Sequence, residues 1–343
     1  MVSVPAQPTA TPKPAAKLWQ RVIATALLAP TPVAVRRWAL GGVISSAVII
    51  LTGAAVRLSQ SGLGCPDWPK CTASSVAASG ATGDPLIHRW IEFGNRLVTV
   101  SVFVVAIGVF VAAWQFRGAD GRRRRDLVWL AAAQPGAIVA QAVIGGVVVI
   151  TKLNPALVSL HFVASIALVA ATVALYVRCQ EGTGPARMFA PQPVRFVALG
   201  VVGTVALMMT VGTVVTGTGP LAGAHDVARY HVPLEGITQL HADIGWLLAG
   251  QMVALLLGLH ITDAPRKAVR LGWLLLALIG FQGVVGYAQY FSGLPAGLVW
   301  VHVTGSTAIW ITALLLPYSL RDRGAIGQRH AHTELPADRV TSG

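Results

Sequence analysis

The sequence predicts an all-α integral membrane protein whose eight transmembrane helices form two pseudo-symmetric four-helix bundles. Composition is the first reason, because 54% of the 343 residues are hydrophobic and only 11% are charged, whereas soluble domains carry about 25% charged residues. The second is a set of eight apolar runs, each close to the ~20 residues that a membrane helix needs. The third is an internal repeat that relates the first four runs to the last four.

The eight runs follow one another along most of the chain. They lie near 38–56, 92–114, 127–150, 157–177, 196–217, 239–259, 271–290 and 299–319. The preceding apolar segment Val22–Pro30 is too short to span a bilayer. It is either the core of a signal peptide or, as we favour, an interfacial part of the N-terminal tail, because a full-length run follows directly after Arg36 and Arg37.

The runs and the repeat divide the chain into segments. We assign 1–37 and 321–343 to tails, 38–177 to an N-terminal bundle, 178–195 to a linker and 196–320 to a C-terminal bundle. The repeat has a Gln, a Gly four residues later and a His twenty residues later: Gln141, Gly145 and His161, then Gln282, Gly286 and His302. Four runs per half give both halves the same orientation, which is a parallel repeat about an axis along the membrane normal.

Basic residues predict the orientation of the chain in the cell (plasma) membrane. Of the 26 Lys and Arg, 20 lie in the tails and in the segments 117–126, 178–195 and 261–270. The positive-inside rule places these segments and both termini in the cytoplasm, so the long loops 57–91 and 218–238 face outward. The net charge of +13 would suggest nucleic acid in a soluble protein. Here topology explains most of it, with partner docking by the basic run as the alternative, and we predict no nucleic-acid partner.

Three of the nine histidines, His161, His241 and His302, lie near the outer ends of apolar runs. A lone histidine in a membrane helix is usually a hydrogen-bonded polar residue, but three at one depth favour a ligand role. Imidazoles from facing helices of a bundle can hold a porphyrin iron from both sides, and we predict this for His241 and His302. The neighbouring glycines either allow close helix packing or leave room for a flat macrocycle.

Two outer segments carry the other chemically informative residues. The segment 88–96 reads HRWIEFGNR, and its spacing places His88, Glu92 and Asn95 on one helix face. By the repeat, Asn95 corresponds to His241. The loop 62–71 reads GLGCPDWPKC, and its position on the oxidising side favours a disulfide between its two cysteines. That pair is either a structural staple or a redox-active relay. Cys179, at a cytoplasmic helix end, is expected to be a free thiol.

These features together resemble the heme A synthase family over roughly residues 38–320. The basic, Ala- and Val-rich composition with Asn95 is similar to actinobacterial members. The resemblance implies oxidation of the C8 methyl of heme O to a formyl group, which gives heme A for a terminal oxidase. The resemblance also implies three kinds of functional partner: heme O synthase, terminal oxidase assembly factors and an unidentified electron-transfer partner. It is compatible with a homo-oligomer.

The resemblance assigns a different heme to each half. His241 and His302 match the ligands of a resident heme b in the C-terminal half. In the N-terminal half, which would receive heme O, His161 matches one ligand, but Asn95 stands where the family has the other histidine. Either the helix entry is irregular and His88, about 10 Å away along a regular helix, replaces that ligand, or His161 alone holds the substrate iron and Asn95 forms hydrogen bonds near an open face.

The remaining matches are charged or sulfur-containing residues. Glu92 matches the family's functional carboxylate, to which we assign proton transfer or carbocation stabilisation, and the alternative is an ion pair with Arg89 or Arg96. Arg57, Arg89 and Arg96 would either pair with heme propionates or extend to the membrane interface. Cys65 and Cys71 match the family's pair in the first outer loop.

Two other classes of function fit part of the sequence. A non-catalytic membrane diheme b-type electron carrier would need two well-ligated hemes, so the missing histidine at position 95 counts against it. A transporter can share the parallel repeat, but it would place its polar groups near the bilayer midplane rather than at the outer ends of the spans.

Overall fold

The computed structural model describes residues 29–78 and 85–325, and eight long helices run through this part of the chain. They are α1 Pro32–Leu58, α2 Leu86–Gln115, α3 Arg125–Ile150, α4 Pro155–Arg178, α5 Gln192–Thr218, α6 Leu234–Ile261, α7 Arg266–Phe291 and α8 Ala296–Ser319. Each is long and apolar enough to cross a membrane. The predicted all-α protein with eight spans is confirmed. The tail predictions for 1–28 and 326–343 lie outside the described residues.

The first two helices begin earlier than hydropathy predicts. α1 starts at Pro32, where the Thr31 hydroxyl oxygen caps the helix by accepting a hydrogen bond from the Ala34 N–H at 3.2 Å. α2 starts at Leu86, directly after Pro85. Glu92 therefore lies inside a helix that has already formed its first turn. An apolar run shows which part of a helix lies in the membrane, whereas capping residues and prolines determine where the helix starts. Both helices therefore start six residues before the predicted position.

Each half of the chain is a closed ring of four helices. In the first half, α1 and α3 each pack against both α2 and α4, and in the second half α5 and α7 each pack against both α6 and α8. The halves meet through the pairs α1–α8, α4–α5 and α4–α8. The repeat maps α1 onto α5 and α4 onto α8, so it exchanges the first two pairs and leaves the third unchanged. A pseudo-twofold axis requires this pattern, and it agrees with the two predicted bundles.

The largest buried apolar cluster lies between the halves and extends into the C-terminal ring. Val43 and Ile50 of α1, Ile166 of α4 and Trp310 of α8 belong to it. The Trp310 indole N–H donates a hydrogen bond to the Ile166 carbonyl oxygen at 2.9 Å, which satisfies the one polar atom of that side chain. The halves are thus joined by a core rather than by loops alone.

Short strands tie the linker to the residues after α8. Strand β1, Arg187–Met188, pairs antiparallel with β2, Arg321–Asp322. Beside them, the Glu181 carboxylate accepts hydrogen bonds from Arg178 at 2.6 Å and from Arg321 at 3.0 Å. This end of the molecule, which carries the basic segments, is called the basic face below.

Cys179 is the C-cap of α4 near the basic face. It is a free cysteine and is buried, as predicted, and burial raises the pKa of its thiol to about 12. A thiol with so high a pKa carries almost no thiolate at neutral pH, so it is unreactive.

Candidate functional site

Two imidazole rings face each other inside the C-terminal ring. His241 lies on α6 and His302 on α8, which are diagonal helices with no direct packing contact, and their ring centres are 6.3 Å apart. An iron bound by both imidazoles through bonds of about 2 Å, with each nitrogen about 1 Å from its ring centre, needs about 6 Å between the centres. The separation therefore fits an iron held from both sides.

Within the described residues, one nitrogen of each of these rings, and one of the His161 ring, is buried without a hydrogen bond by geometric criteria. These are the Nδ1 atoms of His161, His241 and His302. A buried polar atom without a partner costs about 1–3 kcal/mol, a cost that a ligand or a bound water can remove. No group of three or more His, Cys, Asp or Glu side chains within 29–78 and 85–325 is placed to hold a bare metal ion. A metal porphyrin, which needs only two axial donors, fits this residue set.

A glycine from a neighbouring helix backs each of the three histidine rings. An added Cβ would approach the ring carbon Cε1 to 3.2 Å, 3.3 Å and 3.5 Å in the pairs Gly212–His241, Gly145–His161 and Gly286–His302. The glycines that the repeat places in register therefore receive the imidazole itself. Of the two alternatives left open by the sequence, close packing describes Gly145 and Gly286. The sequence analysis missed Gly212. Its partner His241 corresponds to Asn95 in the N-terminal half, so this glycine–histidine pair is not repeated.

The N-terminal ring has an amide, Asn95, at the position that the repeat relates to His241. Asn95 on α2 accepts a hydrogen bond through Oδ1 from the Thr52 hydroxyl of α1 at 2.7 Å. His161 is on α4, the diagonal helix. His88 lies two turns before Asn95 in a continuous helix, and its Nδ1 is 2.8 Å from the Ser61 hydroxyl oxygen. The irregular helix start that would let His88 replace the missing ligand is therefore not present.

The Glu92 side chain contacts both its own helix, α2, and the loop between α1 and α2, which is called the first outer loop after its predicted orientation. Its side chain is buried, and Oε2 accepts the Cys65 backbone N–H at 2.7 Å while Oε1 accepts the Arg96 guanidinium at 2.6 Å. Arg96 also donates to the backbone oxygens of three loop residues, Cys65, Asp67 and Lys70. The ion-pair alternative for Glu92 is thus present in the structure, with Arg96 as its partner.

The first outer loop is closed by the predicted disulfide. Cys65 and Cys71 are bonded, with their Cα atoms 4.3 Å apart, and both are fully buried. The Phe93 side chain packs against them, and the Trp68 ring lies directly over Gly146 of α3. The loop therefore caps the outer end of the N-terminal ring. Its disulfide holds the Cys65 N–H against Glu92, which agrees with the staple interpretation.

The three predicted outer arginines occupy different surroundings. Arg57 donates hydrogen bonds to the Thr216 hydroxyl at 2.7 Å and to the Leu221 carbonyl oxygen at 2.8 Å, both in the second half. Arg96 is engaged beneath the loop, and Arg89 is buried. Propionate pairing by these residues stays a prediction, and the structure adds a role for Arg57 in joining the halves.

The second outer loop also reaches across the pseudo-twofold axis. The Gly62 N–H donates to the Gly223 carbonyl oxygen at 2.9 Å, and the Tyr230 hydroxyl lies 3.0 Å from the Ser159 hydroxyl of α4. The sequence analysis did not single out Tyr230 or Ser159. Contacts between residues this far apart in the chain leave no periodic signal.

Comparison with known proteins places the chain among relatives of one kind. The family model described as cytochrome oxidase assembly protein, COX15-CtaA, matches residues 36–314. A heme A synthase of Shewanella oneidensis is 24% identical over 320 residues, which cover 80% of this chain and 92% of that protein. A heme A synthase of Lysinibacillus sphaericus is 30% identical over 127 residues, 36% of this chain and 38% of that protein. One of Geobacillus kaustophilus is 29% identical over 117 residues, 33% of each. The match spans only about a third to two fifths of these last two relatives.

Proposed function

The chain belongs to the COX15-CtaA family of cytochrome oxidase assembly proteins, and we propose that it is a heme A synthase, a membrane oxidoreductase that converts the C8 methyl of heme O into a formyl group. The observation that carries the proposal is the unequal pair of rings. The C-terminal ring offers two facing imidazoles, whereas in the N-terminal ring the repeat relates the same two positions to one imidazole, His161, and one amide, Asn95.

In the C-terminal ring, His241 and His302 would hold a resident heme b. Held by these two imidazoles, the group would supply electron transfer rather than oxygen chemistry. The 6.3 Å between the ring centres supports this assignment. Gly212 packs directly against the His241 imidazole and Gly286 against the His302 imidazole, and these contacts keep the two side chains in place.

In the N-terminal ring, His161 would bind the iron of the substrate heme O on one side. Asn95 would lie near the other side, where an amide is a weaker iron ligand than an imidazole. Thr52 fixes the amide by donating to Oδ1, so the Asn95 N–H₂ group is left to donate a hydrogen bond. Two successive hydroxylations of the methyl group would each add the hydroxyl of a water molecule and release two protons and two electrons, which pass to the electron-transfer partner. The resulting gem-diol would lose water to form the aldehyde.

Glu92 is proposed as the carboxylate of this reaction. Arg96 and the Cys65 N–H hold it in one orientation, and the capping loop keeps it out of bulk water. A fixed, buried carboxylate can accept a proton or stabilise positive charge that develops on the methyl carbon. The Cys65–Cys71 disulfide would support catalysis indirectly, by positioning the N–H that Glu92 accepts.

The proposed setting of the enzyme follows from the same features. Both termini would lie in the cytoplasm and the histidines near the outer face of the cell membrane. Heme O synthase would supply the substrate and terminal oxidase assembly would consume the product, with an electron-transfer partner completing the cycle.

The test is heme analysis of membranes that contain this protein together with a source of heme O. We expect extracted heme A with its formyl group, and a b-type spectrum from the purified protein. His241→Ala should abolish the b-type spectrum, whereas His260→Ala, at the other end of α6, should retain it. A b-type protein that forms no heme A would support the diheme electron carrier instead, and a protein without any heme would contradict both proposals.

A further inference from the structure

A large cavity opens on the basic face, at the opposite end of the N-terminal ring from Glu92. Its volume is about 1230 Å³, and it lies where α2 ends, α3 begins and the linker leaves α4. Six arginines and two aspartates are among its lining residues. The heme proposal makes no use of this cavity.

The positive charge of the cavity is only partly neutralised. Asp126 pairs with Arg124 at 2.7 Å and with Arg178 at 2.5 Å, so these three groups largely satisfy one another. Arg117, Arg122 and Arg125 are exposed, and none of the ion pairs in the described part of the chain includes them. The cavity therefore presents guanidinium groups that still lack an anion.

The loop that carries these arginines has a defined conformation. Arg117 and Arg123 form an isolated antiparallel bridge, and the Gly118 N–H donates to the Arg122 carbonyl oxygen at 2.9 Å. Gly121 closes the turn with φ of +74°, a value that favours glycine. Arginines fixed on a tight hairpin lose less conformational entropy when they bind an anion than arginines on a flexible loop.

Two tryptophans place the mouth of the cavity at the membrane surface. Trp114 lies in the last turn of α2 and Trp129 in the first turns of α3, and their side chains are 41% and 74% exposed. Tryptophan is enriched at the level of lipid headgroups. The Arg123 guanidinium lies over the Trp114 ring, 4.2 Å from its centre, so this cation is held at the same level.

Membrane orientation alone does not require so many cations here. The repeat-related segment 261–270, which joins α6 to the first turns of α7, satisfies the positive-inside rule with three, Arg266, Lys267 and Arg270. The segment 117–126 has five arginines and adds the cavity and the two tryptophans. This excess, at headgroup level, indicates a bound anion.

We propose that this cavity binds the headgroup phosphodiester of an anionic phospholipid from the surrounding leaflet. The planar guanidinium fork matches phosphate oxygens in two-point contacts, and basic pockets between membrane helices suit anionic headgroups. Trp114 and Trp129 would contact the glycerol region and the start of the acyl chains. The N-terminal segment 1–28 carries Lys13, Lys17 and Arg21 but no acidic residue, so its charge does not complement the cavity.

Native mass spectrometry of the purified, delipidated full chain tests the proposal. The protein is titrated with phosphatidylglycerol and, separately, with phosphatidylcholine of the same acyl chains. We expect the first phosphatidylglycerol to bind at least about tenfold more tightly. The variant R117Q/R122Q/R125Q should reduce that preference to about twofold or less.

Matched variants separate a headgroup site from general charge. R266Q/K267Q/R270Q removes the same charge from the repeat-related position and should keep the full preference. R117K/R122K/R125K keeps the charge and the membrane orientation, but lysine lacks the planar guanidinium fork. On a logarithmic scale, its preference for phosphatidylglycerol should be about half that of the native protein. Circular dichroism confirms that each variant retains its helices.

Three results would overturn the proposal. The first is an unchanged preference in R117Q/R122Q/R125Q, and the second is an equal loss in R266Q/K267Q/R270Q. The third is displacement of phosphatidylglycerol by an equal concentration of inorganic phosphate, which would identify a site for free anions. None of these measurements depends on heme or on turnover, so they succeed or fail independently of the proposed synthase activity.

Discussion

The two helix rings share one scaffold but differ at the level of their outer histidines. In the C-terminal ring, His241 and His302 face each other with ring centres 6.3 Å apart. In the N-terminal ring, the position equivalent to His241 is Asn95. This residue provides an amide instead of a second imidazole, and the amide accepts a hydrogen bond from Thr52. On the proposed function, the duplicated bundle keeps one closed iron site and leaves the other open. On the proposed function, the closed ring carries electrons and the open ring carries out the oxidation.

The outer loops of the two halves also differ from each other. The first loop is stapled by a disulfide, caps the N-terminal ring and contacts Glu92 through the Cys65 N–H. The second loop lies across the pseudo-twofold axis, where Gly223 and Leu221 accept hydrogen bonds from the first half. The first loop therefore caps the N-terminal ring, and the second loop contacts the first half through Gly62 and Arg57.

The largest effect on this comparison is expected from Glu92→Gln. The amide cannot accept a proton or stabilise a cation as a carboxylate does, so conversion of heme O should fall by about a hundredfold or more. The resident b-type spectrum should not change, because Glu92 lies in the other ring. Heme extraction after co-expression measures the first effect, and visible absorption of the purified protein measures the second.

The control for Glu92→Gln is Glu235→Gln, which changes an exposed carboxylate near the outer end of the C-terminal ring. It should leave conversion within about twofold of the native rate, as is usual for surface substitutions. Normal turnover in Glu92→Gln would show that the carboxylate is only a structural partner of Arg96.

Asn95→His removes the difference between the rings directly. By the repeat, an imidazole at this position would face His161 as His241 faces His302, so heme O should be held from both sides. We expect conversion to fall by about tenfold while more heme remains bound after purification. An increase in conversion would show that the reaction needs the second imidazole and that the open face has no catalytic value.

Hydropathy and the repeat predicted much of this architecture for physical reasons. A membrane helix needs only enough apolar residues to span the bilayer, so the eight spans could be read from the sequence, and the register of Gln and His revealed the duplication. The starts of α1 and α2 depend on a threonine cap and on prolines, which hydropathy ignores. The contacts of Arg57 with the second half join residues about 160 positions apart, and no local pattern encodes them.

Gly212→Ala tests how closely the C-terminal ring fits its histidines. The added Cβ would lie 3.2 Å from His241 Cε1, so the imidazole must shift by a few tenths of an ångström. We expect the b-type heme to be retained about two- to fivefold less after detergent purification, with a shifted absorption maximum, since ligand orientation tunes the metal. Gly203→Ala on the same helix, where a Cβ meets no neighbour within 4 Å, should behave as the native protein.

Thr52→Val and Thr216→Val compare two threonines that are related by the repeat. Thr52 orients Asn95 in the N-terminal ring, whereas Thr216 accepts the Arg57 guanidinium between the halves. Loss of one hydrogen bond costs about 1 kcal/mol. Thr52→Val should therefore slow heme O conversion by about fivefold and leave the thermal midpoint nearly unchanged. Thr216→Val should lower the thermal midpoint with little direct effect on conversion. Parallel turnover and melting measurements on both variants decide the matter, because equal effects on both properties would mean that the repeat-related threonines serve the same purpose.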